Sequence, residues 1–267
     1  DYYWQGKHPA FAFFTAVPMG FTAPEIDAWI MHGGGQALWD ELSGEFGVKP
    51  FMCGNTGVQM GGWFRNELTS LDDLQGLKFR MPGLGGEVLR QLGVNVIALP
   101  GGEIFAALQS GAIDGTEWVG PWNDLAFGFY RIAKYYYYPG FHEPGALLSC
   151  GVNKAAFEAL SATDQAIVEN ACIAENNTMY AEFIAKNGTA LTTLVNQHGV
   201  QLKKFPAEIF DAFAKTSEEV IAKVGDHDDL GKRVLDSFRA GRKDFGGWTS
   251  ISEQAYTDER TRTLGAS

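Results

Sequence analysis

The sequence predicts an α/β fold with a parallel, doubly wound sheet. Two observations predict it: residues 70–118 switch between strand-like and helix-like periodicity, and the links between those segments are short. A third is the punctuation, since each apparent helix in this run stops at a glycine. "SLDDLQG" reads as a short capped helix or turn, with Ser70 ahead of Asp72 and Asp73. "LKFRM" alternates, placing Leu77, Phe79 and Met81 on one face and Lys78 and Arg80 on the other, and Pro82-Gly83 ends it. "GEVLRQLG" sets Val88, Leu89 and Leu92 at helical spacing before Gly93. "VNVIAL" is a second strand. "GEIFAALQSG" is a helix with Ile104, Phe105 and Leu108 on one side and Gly111 just past its end. "AIDGTEW" is the third strand. The run "YYYYP", Tyr135 to Tyr138, reads as a strand with aromatics on both faces. Phe157 to about His198 is one long helix or two, "GVQLKKF" a short strand, and Phe210–Lys223 and Asp229–Arg242 are further helices.

The chain has 267 residues, 45% of them apolar, enough for a sizeable core in one large domain or two. No apolar run reaches the roughly 18 residues of a membrane span, so a soluble body is expected. A net charge of −11 argues against nucleic acid or an anionic membrane as partner. An anionic ligand would therefore need placed cations. Cys53, Cys150 and Cys172 are widely spaced, odd in number and without a C-x-x-C pair, which reads as buried free thiols or at most one bridge. The chain opens "DYYWQG" without a leader, so its start is read as that of a processed or truncated product and gives no compartment.

No G-x-S-x-G elbow is present, the five histidines lack metal-ligand spacing, and the Gly-rich stretches "GGGQALWD" and "PGLGGEV" lack the dinucleotide and P-loop patterns. Asn176 and Asn187 begin N-x-T sequons, but both fall in helical sequence. What remains are polar groups at strand ends: Arg80 before Pro82-Gly83, and Glu117 closing the third strand between Thr116 and Trp118. In open α/β sheets ligands sit outside the carboxyl ends of the strands, so these two side chains face one crevice. By pattern alone Arg80 and Glu117 read equally as exposed surface charges, and Trp118 and Trp122 as core.

Several segments together resemble the solute-binding proteins of tripartite ATP-independent periplasmic (TRAP) transporters: "SLDDLQGLKFRMPG", "GGEIFAALQSGAIDGTEW" and "NKAAFEAL". "GNTGVQMGGWFR", "EWVGPWNDLAFG" and "YYYYPGFHEPG" are similar to the branch that binds 2-oxo and 2-hydroxy monocarboxylates. The resemblance implies a periplasmic receptor, not an enzyme, that hands a small organic acid to the membrane subunits of a transporter. It implies two α/β lobes with crossing strands and a long connecting helix: a first lobe of residues 1–56 and 147–205, a second of 57–146 and 206–235, and a C-terminal helical segment, 236–267. It also implies that the opening strands of the first lobe, which family members carry before a segment like "YYWQGK", are missing here.

The resemblance further assigns Arg80 to the substrate carboxylate, and Gln59, Glu117 and Trp118 to a metal ion that also touches the substrate. Tyr3, Trp4, Phe14, Trp122 and Asn123 would be walls or supporting groups, matched by segment rather than by motif. The metal donors are all oxygen: the Gln59 amide, the Glu117 carboxylate and the Trp118 carbonyl. Such a set prefers Na⁺, Ca²⁺ or Mg²⁺ to zinc or copper. Counting Arg80, Glu117 and a monocarboxylate, a monovalent ion gives neutrality, which favours Na⁺ with Ca²⁺ second. The alternatives are a receptor for a dicarboxylate or sugar acid without metal, and, on weaker grounds, an α/β enzyme acting on keto acids. In the C-terminal segment Phe238, Phe245, Trp248, Ile251 and Ala255 form an apolar helical stripe that Gly246-Gly247 interrupts. The resemblance reads this as a helix exchanged in a homodimer; the alternative is a stripe packed on its own lobe.

Overall fold

The computed structural model describes residues 1–265. Two 3₁₀ turns, Tyr2–Trp4 and Pro9–Phe14, lead into helices α1 (Ala23–His32) and α2 (Gly35–Gly44). There follow β1 (Val48–Asn55), β2 (Gly62–Phe64), β3 (Lys78–Arg80), α3 (Gly83–Gln91), β4 (Asn95–Ile97), α4 (Gly101–Ser110), β5 (Gly115–Thr116), α5 (Pro121–Phe127), β6 (Tyr135–Tyr138) and β7 (Leu147–Asn153). The remainder is helical except for β8 (Gln201–Lys204): α6 (Lys154–Glu158), α7 (Ala162–His198), α8 (Ala207–Gly225), α9 (Asp229–Thr249) and α10 (Ala255–Leu264).

The central run forms as its periodicity predicts. Ser70 and Asp73 close a capping box on the 3₁₀ turn Leu71–Leu74. Gly111 ends α4 in the left-handed conformation, φ 76°, which a side chain would strain. The sheet, however, is mixed rather than parallel throughout. Its order is β4-β3-β5-β2-β6-β8. β3 runs parallel to β4 and β5, as predicted, and β6 parallel to β8. β2 lies between β5 and β6 and is antiparallel to both. It is only three residues long and sits among glycines and polar turn residues, so its sequence carries no strand period.

The architecture is a two-lobed α/β fold. β1 and β7 form an antiparallel ribbon beside α1 and α2, apart from the six-stranded sheet. The ribbon strands are also the connections. β1 leaves α2 and feeds the loop that carries Gln59 and enters β2, and β7 takes the chain back from the loop that carries Glu143. α7 runs 37 residues, about 55 Å at 1.5 Å per residue, and packs on β1 and on α5. Ser161 caps its first turn, and Gly199 in the left-handed region ends it. Both sequon asparagines lie within it, Asn176 buried. α8 packs on α3, whereas α9 packs on α1 and α2, with Arg233 paired to Glu41. The helix pair α8–α9 therefore reaches from α3 to α1 and α2.

The C-terminal helix does not break at Gly246-Gly247. α9 runs through both glycines to Thr249, a π-helical turn spans Ser250–Gln254, and α10 continues to Leu264. Phe238 is buried and Phe245 packs against the core, but Trp248, Ile251, Tyr256 and Leu264 are exposed.

Candidate functional site

A cavity of about 330 Å³ lies where the loop after β1, the end of β3, the end of β5 and the start of β7 meet. Gln59, Arg80, Trp118, Tyr2, Tyr3, Thr56 and Glu143 are on its wall. Of the nine residues singled out in the sequence, four share this wall: Arg80, Gln59, Trp118 and Tyr3.

Arg80 is placed by β3, whose strand end turns its side chain under Trp118. It is 3% exposed, so it is no surface arginine. Its Nε donates to the Leu99 carbonyl at 3.2 Å, and its Nη1 donates to the Glu117 carboxylate and, at 3.5 Å, to the Glu117 carbonyl. The guanidinium carbon lies 5.4 Å from the Trp118 ring centre. Trp118 in turn packs on Gly101, where a Cβ would meet the indole at 2.4 Å, so the first turn of α4 needs glycine there. None of these hydrogen bonds uses Arg80 Nη2.

Glu117 is 1% exposed and lies behind the arginine. One oxygen accepts from Arg80, and the other faces His142 Nε2 at 3.3 Å. The cation and anion expected side by side at the crevice are thus paired with each other. Breaking such a buried pair costs about 3–5 kcal/mol, so it fixes both side chains.

Gln59 is buried and fully organised except at one atom. Its backbone N–H donates to the Glu143 carbonyl at 3.1 Å, its carbonyl accepts from Gly140 N–H at 2.9 Å, and its Nε2 donates to Thr56 Oγ1 at 3.2 Å. Its Oε1 is buried without a partner. A buried amide oxygen left unpaired costs about 1–3 kcal/mol, and a hard cation would satisfy it. Glu117, His142 and Glu143 bring ligand atoms within 4.8 Å of one another beside it. Burial pushes the Glu143 carboxyl above the usual carboxylate range, with the Glu117 charge adding and His142 and Arg80 opposing. Gln59 Oε1 and the Glu143 carboxylate on the wall, with the Glu117 carboxylate behind it, are oxygen donors of the kind a hard cation takes.

Other expected wall residues lie elsewhere. Phe14 is fully buried, stacked between Trp29 at 5.3 Å and Trp39 at 5.4 Å, because the apolar run Pro9–Phe14 turns inward as a 3₁₀ coil. Trp4 leans edge-on toward Phe11 and Phe46 and lines a separate cavity of about 260 Å³. Trp122 docks α5 on α7: its N–H donates to Asn187 Oδ1 at 3.0 Å, and its ring meets Phe183 and lies 4.2 Å from Lys186 Nζ. Asn123, the next residue on α5, is not on the cavity wall either. Sequence reasoning missed Tyr2, His142 and Glu143. The signal for the last two was available in "FHEPG": two adjacent ionisable residues closing an aromatic-rich segment before a Pro-Gly turn. It also missed Asp124. This fully buried acid accepts from Trp63 Nε1, Tyr136 Oη and Val119 N–H, and so holds the loop after Trp118; burial raises its carboxyl to about 6.

Strand-end polar groups converge on one cavity, an arrangement suited to binding a small anion. Residues 1–228 match the family model of the bacterial extracellular solute-binding proteins, family 7 (DctP), and the chain belongs to that family. It is a family of transport receptors rather than enzymes. A monocarboxylate 2-oxoacid-binding periplasmic protein from Nostoc sp. (strain PCC 7120) is 44% identical over 96% of this chain and 70% of its own length. A TRAP periplasmic solute-binding protein from Pseudoalteromonas atlantica T6c, solved with bound sodium and pyruvate, superposes with TM-score 0.92 at 40% identity, covering 96% of this chain and 78% of that one. A TRAP solute-binding protein from Bordetella bronchiseptica RB50 superposes with TM-score 0.94 at 37% identity, covering 98% of this chain and 77% of that one. It was solved as a mixed-occupancy dimer with calcium and picolinate in one site. No described helix is long and apolar enough to cross a membrane.

Proposed function

We propose that this chain is the periplasmic receptor of a TRAP transporter, and that it binds a small 2-oxo or 2-hydroxy monocarboxylate together with a hard cation and delivers it to the transporter's membrane subunits. The observation that carries this reading is the unpartnered, buried Gln59 Oε1 on the same wall as Arg80. Arg80 gives the ligand carboxylate a charged, planar donor whose Nη2 is uncommitted. Gln59, Glu117 and the Trp118 carbonyl would hold the cation, with Glu143 beside them. The cation supplies a positive centre that the 2-oxygen and one carboxylate oxygen of the ligand can share, and plain fatty acids lack that second oxygen.

Charge counting now includes a group absent from the sequence tally. With Arg80, Glu117 and the ligand alone, a sodium ion gives neutrality; with Glu143 ionised as well, a calcium ion does. The relatives above were solved with one ion or the other. A dicarboxylate or sugar acid would require further cations, and among the described residues Arg80 is the sole cationic side chain on the wall. A cavity of about 330 Å³ is at the small end of ligand pockets, which suits a short acid. The exposed C-terminal stripe of Trp248, Ile251, Tyr256 and Leu264 is the face that a second copy would cover in a homodimer. A thermal-shift panel tests the ligand class. Pyruvate and lactate should raise the melting temperature in calcium or sodium, and propionate and succinate should not. A larger shift with succinate than with pyruvate refutes the monocarboxylate reading.

A further inference from the structure

Three thiols converge where the β1–β7 ribbon meets α7. Cys53 is on β1, Cys150 on β7 and Cys172 on α7, and their sulfurs all lie within 4.8 Å of one another. The antiparallel register pairs Cys150 with Phe51, two residues before Cys53. Both ribbon cysteines therefore leave the same face, toward the helix. All three are free thiols, and Phe51, Phe157 and Val168 pack around them. The group adjoins a second cavity, about 260 Å³, whose wall carries Cys172 with the thioether residues Met31 and Met52. The same wall also carries Gln36, Lys49 and Glu169, so sulfur is concentrated in the cluster itself.

We propose that Cys53, Cys150 and Cys172 form a three-thiolate site for a soft monovalent cation of the Cu(I) class. The metal–thiolate bond of about 2.3 Å known for zinc sets the scale: a planar three-coordinate site needs sulfurs about 4.0 Å apart. The observed cluster already confines its sulfurs to that range, 4.8 Å or less. Structural zinc takes four ligands, and among the described residues no fourth His, Cys, Asp or Glu joins these three. Calcium, magnesium and sodium are excluded by the absence of oxygen donors in the set. The site is therefore chemically separate from the oxygen-lined cavity at Arg80. Binding releases the thiol protons to solvent and forms the metal–sulfur bonds, with no change of oxidation state. An occupied site would fasten the ribbon to α7, the elements that join the two lobes.

The test uses the full chain, reduced and handled without oxygen. Cu(I) is offered in competition with the chromophoric chelator bicinchoninate, and sulfur coordination is read by X-ray absorption. The expected result is one Cu(I) per chain bound by three sulfurs, with all three thiols protected from alkylation. Cys53→Ser, Cys150→Ser and Cys172→Ser should each weaken retention by at least about 100-fold, since loss of an outer-shell partner alone costs roughly 10–100-fold. The alkylation readout on the unaltered chain needs no variant and stands if a serine variant folds poorly. Failure to hold Cu(I) against the chelator overturns the proposal. So does retention that is unchanged in all three variants, or a disulfide between two of these cysteines in protein isolated without reductant.

Discussion

Replacing Arg80 by lysine keeps one positive charge and removes everything that depends on the planar fork. In the structure the guanidinium serves three partners at once: the Leu99 carbonyl at 3.2 Å through Nε, the Glu117 carboxylate through Nη1, and the Trp118 ring at 5.4 Å. A lysine ammonium can keep the Glu117 pairing, but it cannot also reach Leu99 or stack on the indole. The Leu99 carbonyl then loses a charge-assisted hydrogen bond worth about 1.5–3 kcal/mol. At roughly 2–4 °C per kcal/mol for a chain of this size, the melting temperature should fall by roughly 3–12 °C. In the proposed complex the ligand also loses the planar, charged donor that Arg80 Nη2 would offer it. The same 1.5–3 kcal/mol taken from binding weakens pyruvate affinity by about 10- to 150-fold. Isothermal calorimetry in saturating calcium, on variant protein shown folded by circular dichroism, reads the effect. Affinity within twofold of the parent would remove Arg80 from the ligand and refute the reasoning.

Glu117→Gln should lower cation and acid affinity together, because the two are linked, and should cost about 3–5 kcal/mol of stability by leaving buried Arg80 unpaired; calorimetric binding and scanning runs check both, and an unchanged melting temperature would show that the pair contributes nothing. Asp27 accepts from Asn176 across α1 and α7, and burial raises its carboxyl to about 6 from an ordinary value of 3.8. The folded state therefore holds the proton more tightly, so this group's penalty is absent below about pH 4, grows as pH rises toward 6 and is complete above it. Asp27→Asn should then gain more melting temperature over the parent at pH 8 than at pH 4, and an equal gain at both would contradict the assignment. Deleting residues from Trp248 onward should convert a dimer to a monomer by light scattering; a parent chain that is monomeric at micromolar concentration sinks that expectation.

The β3–β5 run was legible because each of its elements carries its own period and its own stop, as at Gly93 and Gly111. β2 was not, because Gly61-Gly62 open it and no alternating apolar neighbours extend it as Leu77 and Met81 extend β3, and its antiparallel pairing is settled by tertiary contacts with β5 and β6. Arg80 and Glu117 were found through their positions at strand ends, yet nothing in the sequence reveals that they pair with each other in the buried wall. Phe14 and Trp4 were matched alike by segment as candidate walls, but one fills the core between two tryptophans and the other lines a different cavity. Direction of a side chain inside an irregular 3₁₀ segment is fixed by packing, not by spacing. The three cysteines were widely separated in sequence for the same reason that they meet in space: the ribbon and the long helix are non-local partners.

Pyruvate binding measured by calorimetry with and without a hard cation tests the central claim most directly. After dialysis against chelator in potassium salts the account predicts that affinity falls by at least about tenfold, the equivalent of about 1.4 kcal/mol of coupling, and that calcium or sodium restores it. Undiminished affinity in the cation-stripped protein would contradict it, because the buried Gln59 oxygen would then have no ion to meet.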